Sequence, residues 1–177
     1  MNVKAEEILQ TFLDQLDELM SPVEGKIAFG NLRKQVSEWE DEKGRSANIA
    51  ILYETPGGST NQINIAFHFY PPAFYLVNEI TGEEEGIASA SEALERVREY
   101  IQAIPAKRRL RLQTEIDSWC KAGKTQSEIF ASLNKLLYCN FRGACITTEE
   151  LQEATRYAIS SLRGLNKAGG SAGNRDE

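Results

Sequence analysis

A chain of 177 residues is long enough to bury a hydrophobic core, in one compact domain or two very small ones. Its residues are 41% hydrophobic and 26% charged, which excludes disordered, collagen-like and membrane-embedded classes. The net charge of −6 is unevenly divided: residues 1–105 carry eight basic and eighteen acidic side chains, and residues 106–177 carry twelve and eight. Such asymmetry indicates either two segments that attract one another or a C-terminal part that faces nucleic acid.

The apolar runs and the cysteines exclude several further classes. The longest apolar runs, 49–53 and 73–77, fall far short of the ~20 residues of a membrane-spanning helix. The first residues lack the pattern of a secretory signal, so we expect a cytoplasmic protein with no membrane partner. No zinc, calcium or nucleotide motif occurs, and no metal or cofactor is expected. Cys139 and Cys145 are close enough in sequence to pair, but we expect them to remain thiols in a reducing compartment.

The first predicted element is an amphipathic helix over 5–20, which Pro22 ends. The segment 28–42 is ambiguous. We favour a helix there because its apolar residues keep helical spacing, and the alternative is an edge strand with a turn over 42–45. The apolar residues of this segment are Phe29, Leu32, Val36 and Trp39.

Residues 47–81 alternate with a period of two, which predicts three antiparallel strands in a meander. The third strand is expected to run from Phe74 to Thr81, after a tight turn at Pro71-Pro72 that suits a cis bond. The acidic run 83–85 is expected to be a solvated turn. The first two strands direct these residues to the core: Ala47, Ile49, Ile51, Tyr53, Ile63, Ile65, Phe67 and Phe69.

The remaining elements are predicted to be helices. Capping boxes, in which a serine or threonine precedes a glutamate by three residues, open helices at Ser89, Thr125 and Thr147. The first of these helices is expected to close at Pro105. We therefore predict an α+β fold: a helix, a three-stranded antiparallel meander and a helix over 1–105, a basic three-helix bundle over 106–164, and a disordered tail over 165–177.

The segment 122–133, preceded by the basic residues 107–111, resembles the first helix pair of a helix-turn-helix DNA-binding module. The resemblance covers a glycine turn and a Thr-x-x-Glu-Ile helix, and it implies phosphate contacts. We favour the alternative, a capped helix in a bundle, because 138–146 separates this helix from the next, which begins with acidic residues. The implied contacts would come from Arg108, Arg109, Arg111, Lys121 and Lys124.

The second face of the predicted sheet is a candidate partner surface, because a patch rich in tyrosine and aliphatic residues marks many interfaces. The alternative is that the bundle or the segment 28–42 covers it. The residues predicted to bind a partner are Leu52, His68, Tyr70 and Tyr75, with Ala66 and Val77 beside them.

The functional expectation follows from the acidic charge and the lack of site motifs. The single histidine, His68, is the only imidazole base available, and we expect it to have a structural or binding role. We expect a non-catalytic adaptor, inhibitor or assembly factor that binds another protein through its acidic surface and aromatic sheet face. The alternative is a nucleic-acid-binding regulator that uses residues 107–137.

Overall fold

A five-stranded antiparallel sheet and four α-helices make up the residues that the computed structural model describes, 3–139 and 144–170. The strands lie side by side in chain order, and a short 3-10 helix, Ile27–Phe29, precedes the first. The predicted α+β class is confirmed, but the sheet has five strands instead of the three that were predicted. The elements are α1 (Val3–Met20), β1 (Arg33–Asp41), β2 (Gly44–Glu54), β3 (Thr60–Phe69), β4 (Pro72–Val77), β5 (Glu84–Ile87), α2 (Ala90–Lys121), α3 (Gln126–Leu137) and α4 (Thr148–Gly170).

The first hydrophobic cluster lies between one face of the sheet and the helices α1 and α2. Seven of the eight residues that alternation directs to the core belong to this cluster and the eighth, Ile63, packs against it, so the predicted core face is confirmed. Phe74 of β4 joins sheet and helix, because its ring centroid lies 4.8 Å from those of both Phe12 and Phe67. The stripe of α1 is buried as its spacing predicts: Ala5, Leu9, Phe12, Leu16 and Met20.

The segment 28–42 forms β1, so the favoured prediction of a helix is wrong and the edge strand is correct. Nine residue pairs align β1 with β2, from Arg33 opposite Leu52 to Asp41 opposite Gly44. Because side chains alternate along a strand, Val36 and Trp39 point to opposite faces, and each is 41% exposed. The backbone pairing with β2 outweighs the helical spacing, since no surface is available to bury a helical stripe here.

Two further details of the sheet differ from the prediction. The third predicted strand, β4, ends at Val77 instead of Thr81, and the run 84–87 pairs with β4 as β5 instead of forming only a turn. β5 pairs with β4 along one edge while its glutamate side chains stay exposed, so their charge does not prevent a strand. The Tyr70–Pro71 bond is cis, as predicted.

Helix α2 runs without interruption from Ala90 to Lys121, so the prediction that Pro105 ends it is wrong. Pro105 has no N–H to donate to the carbonyl of Ile101, a loss of about 3 kcal/mol in a helix interior. The helix continues because its buried stripe extends on both sides of the proline. This stripe consists of Val97, Ile101, Ile104, Arg108, Leu112 and Ile116.

The second hydrophobic cluster joins the C-terminal half of α2 to α3 and α4. Two capping boxes begin α3 and α4 at the predicted threonines. The Thr125 hydroxyl accepts from the Glu128 amide, and the Glu128 carboxylate accepts from the Thr125 amide at 2.7 Å. Thr147 and Glu150 make the same two bonds, at 3.0 and 2.9 Å. The side chain of Ser89 likewise caps α2.

Helix α4 continues to Gly170, so the predicted disordered tail is wrong for 165–170, and 171–177 lie outside the described residues. Leu162 still packs against the second cluster, which anchors the helix shortly before this extension. Over the two described ranges, no helix is both long and apolar enough to cross a bilayer.

Candidate functional site

The sheet face opposite α1 and α2, here called the outer face, carries polar and aromatic side chains. Strand register places Trp39, Ser46 and His68 next to one another on β1, β2 and β3. Tyr75 of β4 contacts His68 edge-on, with 4.7 Å between ring centroids, and Tyr70 at the end of β3 is 56% exposed. Because α3 and α4 pack mainly on α2 and on each other, they leave these rings accessible.

His68 is held between a hydroxyl and a carboxylate on the outer face. Its Nδ1 lies 3.4 Å from Ser46 Oγ, and its Nε2 lies 3.1 Å from both carboxylate oxygens of Glu84. With the proton on Nε2, the imidazole donates to Glu84 and Nδ1 is left to accept from Ser46. The order of serine, histidine and carboxylate is that of a hydrolase triad, but Ser46 is only 5% exposed. A hydroxyl with so little exposed surface is poorly placed to act as a nucleophile, so we interpret the arrangement as one that orients the imidazole.

A pocket of about 330 Å³ opens in front of His68, here called the histidine pocket. Trp39, Asp41 and Lys43 line it together with the array of Ser46, His68 and Glu84. An indole surface beside charged groups of both signs suits a ligand side chain with an apolar stem and a polar end.

A larger depression of about 890 Å³ lies beside β4 and β5, here called the acidic groove. Glu84 lines both this groove and the histidine pocket, so the two are neighbours at β5, although Ile63 and Leu76 of the groove belong to the side of the sheet that α2 covers. An amide chain orients another of its carboxylates, because Asn48 donates to Asn64 at 3.2 Å and Asn64 donates to Glu79 at 3.1 Å. Carboxylates of one sign along a groove attract cationic groups. The acidic residues that line the groove are Glu79, Glu83, Glu84 and Glu85, and its apolar lining includes Ile63, Leu76 and Val77.

Tyr100 of α2 also lines the acidic groove, and its hydroxyl oxygen is buried. Within the described part of the chain, this oxygen has no hydrogen-bond partner. Burial raises the pKa of Tyr100 far above its usual range. Repulsion from the negatively charged forms of Tyr53 and Glu79 raises this pKa further. The phenol is therefore held neutral.

The residues predicted to bind a partner do not all reach the surface. The structure brings His68 and Tyr75 into contact and leaves Tyr70 exposed. Leu52 is only 7% exposed at the far end of β2, so its assignment as a binding residue is wrong. Trp39 and Glu84 were missed, because their segments are predicted as a helix and a turn. The signal for Trp39 is that β1 is polar at every position except Val36 and Trp39, which is typical of an exposed edge strand; a strand assignment would have placed Trp39 on an exposed face.

Arg108 is fully buried and cannot contact nucleic acid, so its predicted role is wrong. Its guanidinium group donates to both carboxylate oxygens of Glu150, at 2.9 and 3.1 Å. It also donates to the carbonyl oxygens of Glu54 and Cys145, each at 2.7 Å. A buried guanidinium group requires such partners, and here they come from α4, the end of β2 and the segment before α4. Arg108 thus joins the two hydrophobic clusters.

The backbone at Glu54 also requires a glycine opposite it. The Glu54 amide donates to the carbonyl of Gly30 at 2.8 Å, and Gly30 has a positive φ of 61°. A side-chain carbon at residue 30 would lie 2.2 Å from the Glu54 carbonyl oxygen, the same atom that Arg108 binds. Only glycine fits this approach.

The other basic residues with predicted phosphate contacts are exposed or half-buried. Arg109 pairs with Glu153 at 3.1 Å and Arg111 with Glu115 at 2.8 Å. Lys124 lies over the Trp119 ring, 5.1 Å from its centroid, and Lys121 is exposed near the end of α2. These cations are spread along α2 and the turn after it, and two of them form ion pairs with neighbouring carboxylates.

Cys139 and Cys145 form a disulfide, with 2.21 Å between the sulfur atoms, so the expectation of two separate thiols is wrong in this structure. Their Cα atoms lie 5.4 Å apart, within the range that a disulfide spans. The carbonyl of Cys145 is also one of the acceptors of Arg108. Cys120 is a free, buried thiol, and desolvation raises its pKa. In the part of the chain that the structure describes, no cluster of three histidine, cysteine or acidic residues is placed to hold a metal ion.

Comparison with known proteins gives no relative: no family model, curated protein or solved structure matches this chain.

Proposed function

We propose that this chain is a non-catalytic protein-binding factor of the adaptor, inhibitor or assembly type. Its binding surface is the outer face around His68, extended by the acidic groove. The observation that carries the proposal is that α1 and α2 pack on one face of the sheet and leave aromatic side chains exposed on the other. Trp39 is 41% and Tyr70 is 56% exposed, and tryptophan and tyrosine contribute disproportionately to binding energy at protein interfaces.

The charge of the surface indicates the chemistry of the partner. Glu84 lines both the histidine pocket and the neighbouring acidic groove, which carries three further glutamates beside apolar residues. A lysine or arginine side chain fits such a groove, because its hydrocarbon stem packs on apolar residues while its charged end meets the carboxylates. We therefore expect a partner segment that combines basic and apolar residues.

A binding role fits His68 better than a catalytic role. A nucleophile must reach the substrate, and the hydroxyl paired with His68 belongs to Ser46, which exposes only 5% of its surface in the wall of the histidine pocket. Fixed by Ser46 and Glu84, the imidazole presents an edge to the pocket at little cost in side-chain entropy, which favours recognition.

The nucleic-acid alternative has less support. Arg108 is buried in the interior and cannot reach a phosphate, and carboxylates of the same chain already neutralise Arg109 and Arg111. Nonspecific nucleic-acid binding depends on several free cations that replace counterions on the phosphates.

Site-specific photo-crosslinking tests the proposal. A benzophenone amino acid is placed at Tyr70, which is 56% exposed in the turn after β3, and, as a control, at Leu110, which is 62% exposed on α2. We expect the Tyr70 probe to capture one protein in near-stoichiometric amount and the Leu110 probe to capture none. Tyr70→Ala is then expected to weaken the binding of that purified partner by about 2 kcal/mol, roughly thirtyfold, and Leu110→Ala to leave it unchanged. Equal capture at both positions, or capture of nucleic acid by the Leu110 probe, contradicts the proposal.

A further inference from the structure

β1 is an open edge of the sheet. In the described part of the chain it pairs only with β2, and it has seven exposed residues in a row after Arg33 and Lys34. On the core side of the sheet α1 packs mainly on α2 and β3, and near the last residues of β1 its Glu6 pairs with Arg45 of β2, which also binds Glu38. An edge strand of nine residues with unpaired backbone groups is a template for a further strand.

The charges of β1 are separated along its length. Arg33 and Lys34 begin the strand, and Glu38, Glu40 and Asp41 lie near its end. An edge with charges of a single sign would repel a second copy of itself. An edge with opposite charges at its two ends is complementary to itself when the second copy runs antiparallel.

We propose that two copies of this chain pair through β1, antiparallel and with Ser37 on the two-fold axis, to form a continuous ten-stranded sheet. In this register Arg33 of each copy faces Asp41 of the other, and Lys34 faces Glu40. The register gives four pairs of opposite charge in all, two at each end of the interface. The outer faces of the two copies then form one surface.

The neighbouring registers are less favourable. A shift of two residues keeps the same faces together, because side chains alternate with a period of two. A shift toward the start of β1 leaves Glu40 and Asp41 outside the paired strands. A shift toward its end leaves Arg33 and Lys34 outside and places Glu38 opposite Glu38, a like-charge pair that opposes binding. The register centred on Ser37 alone uses all nine residues with both pairs of opposite charge.

The basic residues of β1 have partners within their own chain that are compatible with this pairing. Arg33 lies 3.3 Å from Glu54, and Lys34 pairs with Asp17 of α1. A guanidinium group has five donors and an ammonium group three, so each can bind a second carboxylate. The side chains of Arg33 and Glu54 remain 34% and 18% exposed, so the arginine is accessible from the edge.

A charge-swap experiment tests the dimer. Arg33→Glu with Lys34→Glu makes one variant, and Glu40→Lys with Asp41→Lys makes the other. Sedimentation of the wild-type chain is expected to give twice its 19.8 kDa mass. Each variant alone places like charges opposite one another and is expected to associate at least about tenfold more weakly. Mixing the two restores opposite charges at every pair and is expected to restore the dimer.

A matched control reverses an exposed ion pair away from β1, with Glu95→Arg and Arg98→Glu in α2, and is expected to leave the dimer unchanged. Circular dichroism checks that each variant is folded. A monomeric wild-type chain, two charge variants that dimerise as strongly as the wild type, or a mixture that stays monomeric would each overturn the proposal.

Cysteine crosslinking tests the register independently of stability. Directly opposite residues in antiparallel strands have Cβ atoms about 5 Å apart, close enough for a disulfide. Ser37→Cys is therefore expected to give an oxidised covalent dimer, because the residue faces its own copy. Gln35→Cys faces Trp39 and is expected to give little. A stronger crosslink from Gln35→Cys than from Ser37→Cys would show that the register is wrong. Neither result depends on the protein partner proposed above.

Discussion

Arg108 has a different role in the structure from the one that its place in the sequence predicts. In the sequence it belongs to a basic run that indicates phosphate binding, and in the structure it has no exposed surface. Four hydrogen bonds to Glu150, Glu54 and Cys145 replace the water that it loses. Burial of a charge is tolerated only with such compensation, so removal of the arginine leaves Glu150 buried without its counterion.

The first prediction concerns this ion pair. Arg108→Ala is expected to lower the free energy of unfolding by about 3–5 kcal/mol, because it leaves a buried carboxylate unpaired. Arg109→Ala is the matched control, since Arg109 is the next residue on α2 and pairs with Glu153 at the surface. It is expected to cost no more than about 1 kcal/mol. Urea denaturation of both variants measures the difference, and equal effects would contradict the role given to Arg108.

Tyr100 gives a prediction of pH dependence at the residue scale. Burial raises the pKa of Tyr100 in the folded chain above its value of about 10 in the unfolded chain. Below pH 10 the phenol is neutral in both states, and above it the unfolded state loses the proton first. The folded chain is therefore expected to lose stability as the pH rises from about 10 toward the raised pKa.

Comparison with Tyr100→Phe isolates this effect. The variant has no phenol at this position to ionise, so its unfolding free energy is expected to fall less steeply between about pH 9.5 and 11. It also removes a buried hydroxyl, so its stability at neutral pH is expected to equal or exceed that of the wild type. Tyr70→Phe, at an exposed position, is the control. An unchanged pH slope in Tyr100→Phe would show that the ring is more open to solvent than its place beside the acidic groove implies.

At the scale of elements, local signals predicted helix starts and core faces well. A helix begins at each of the three predicted capping residues, with complete capping boxes at Thr125 and Thr147 and a side-chain cap at Ser89, because these hydrogen bonds are made within four residues of sequence and need no distant partner. The alternation in β2 and β3 predicted the core face for the same reason: the geometry of a strand alone fixes it. These features could be read from the sequence.

The elements that the sequence did not predict correctly are those that depend on distant partners. Pairing with β2 makes β1 a strand despite its helical spacing, and pairing with β4 does the same for a run of glutamates. Burial against two clusters keeps α2 helical on both sides of Pro105. The candidate site depends on these elements, since β1 supplies Trp39 and β5 supplies Glu84. Its two missed residues are therefore consequences of two missed strands, while His68 and Tyr75 share the outer face and Tyr70 lies exposed in the turn after β3.

At the scale of the whole molecule, α2 relates the two differently charged parts of the chain. Its first half covers the sheet, its second half packs with α3 and α4, and Arg108 lies between the two hydrophobic clusters. The boundary predicted near residue 105 falls between these clusters, but it lies within a continuous helix. A shared helix and a shared buried ion pair couple the unfolding of the two parts, because neither cluster can lose α2 without exposing residues of the other.

The two tryptophans allow this coupling to be measured, since Trp39 reports on the sheet and Trp119 packs against the second cluster. Trp39→Phe and Trp119→Phe each leave a single fluorescent probe. In urea, the fluorescence midpoint of each variant is expected to equal the midpoint measured by far-ultraviolet circular dichroism of the same sample.

Adding Arg108→Ala to each variant removes the ion pair between the clusters. The two fluorescence midpoints are then expected to separate, with Trp119 reporting the earlier transition. That order follows because the second cluster is smaller and relies on the Glu150 contact to hold α4 in place. Two separate transitions in the variants that retain Arg108 would show that the clusters fold independently and that α2 only connects them.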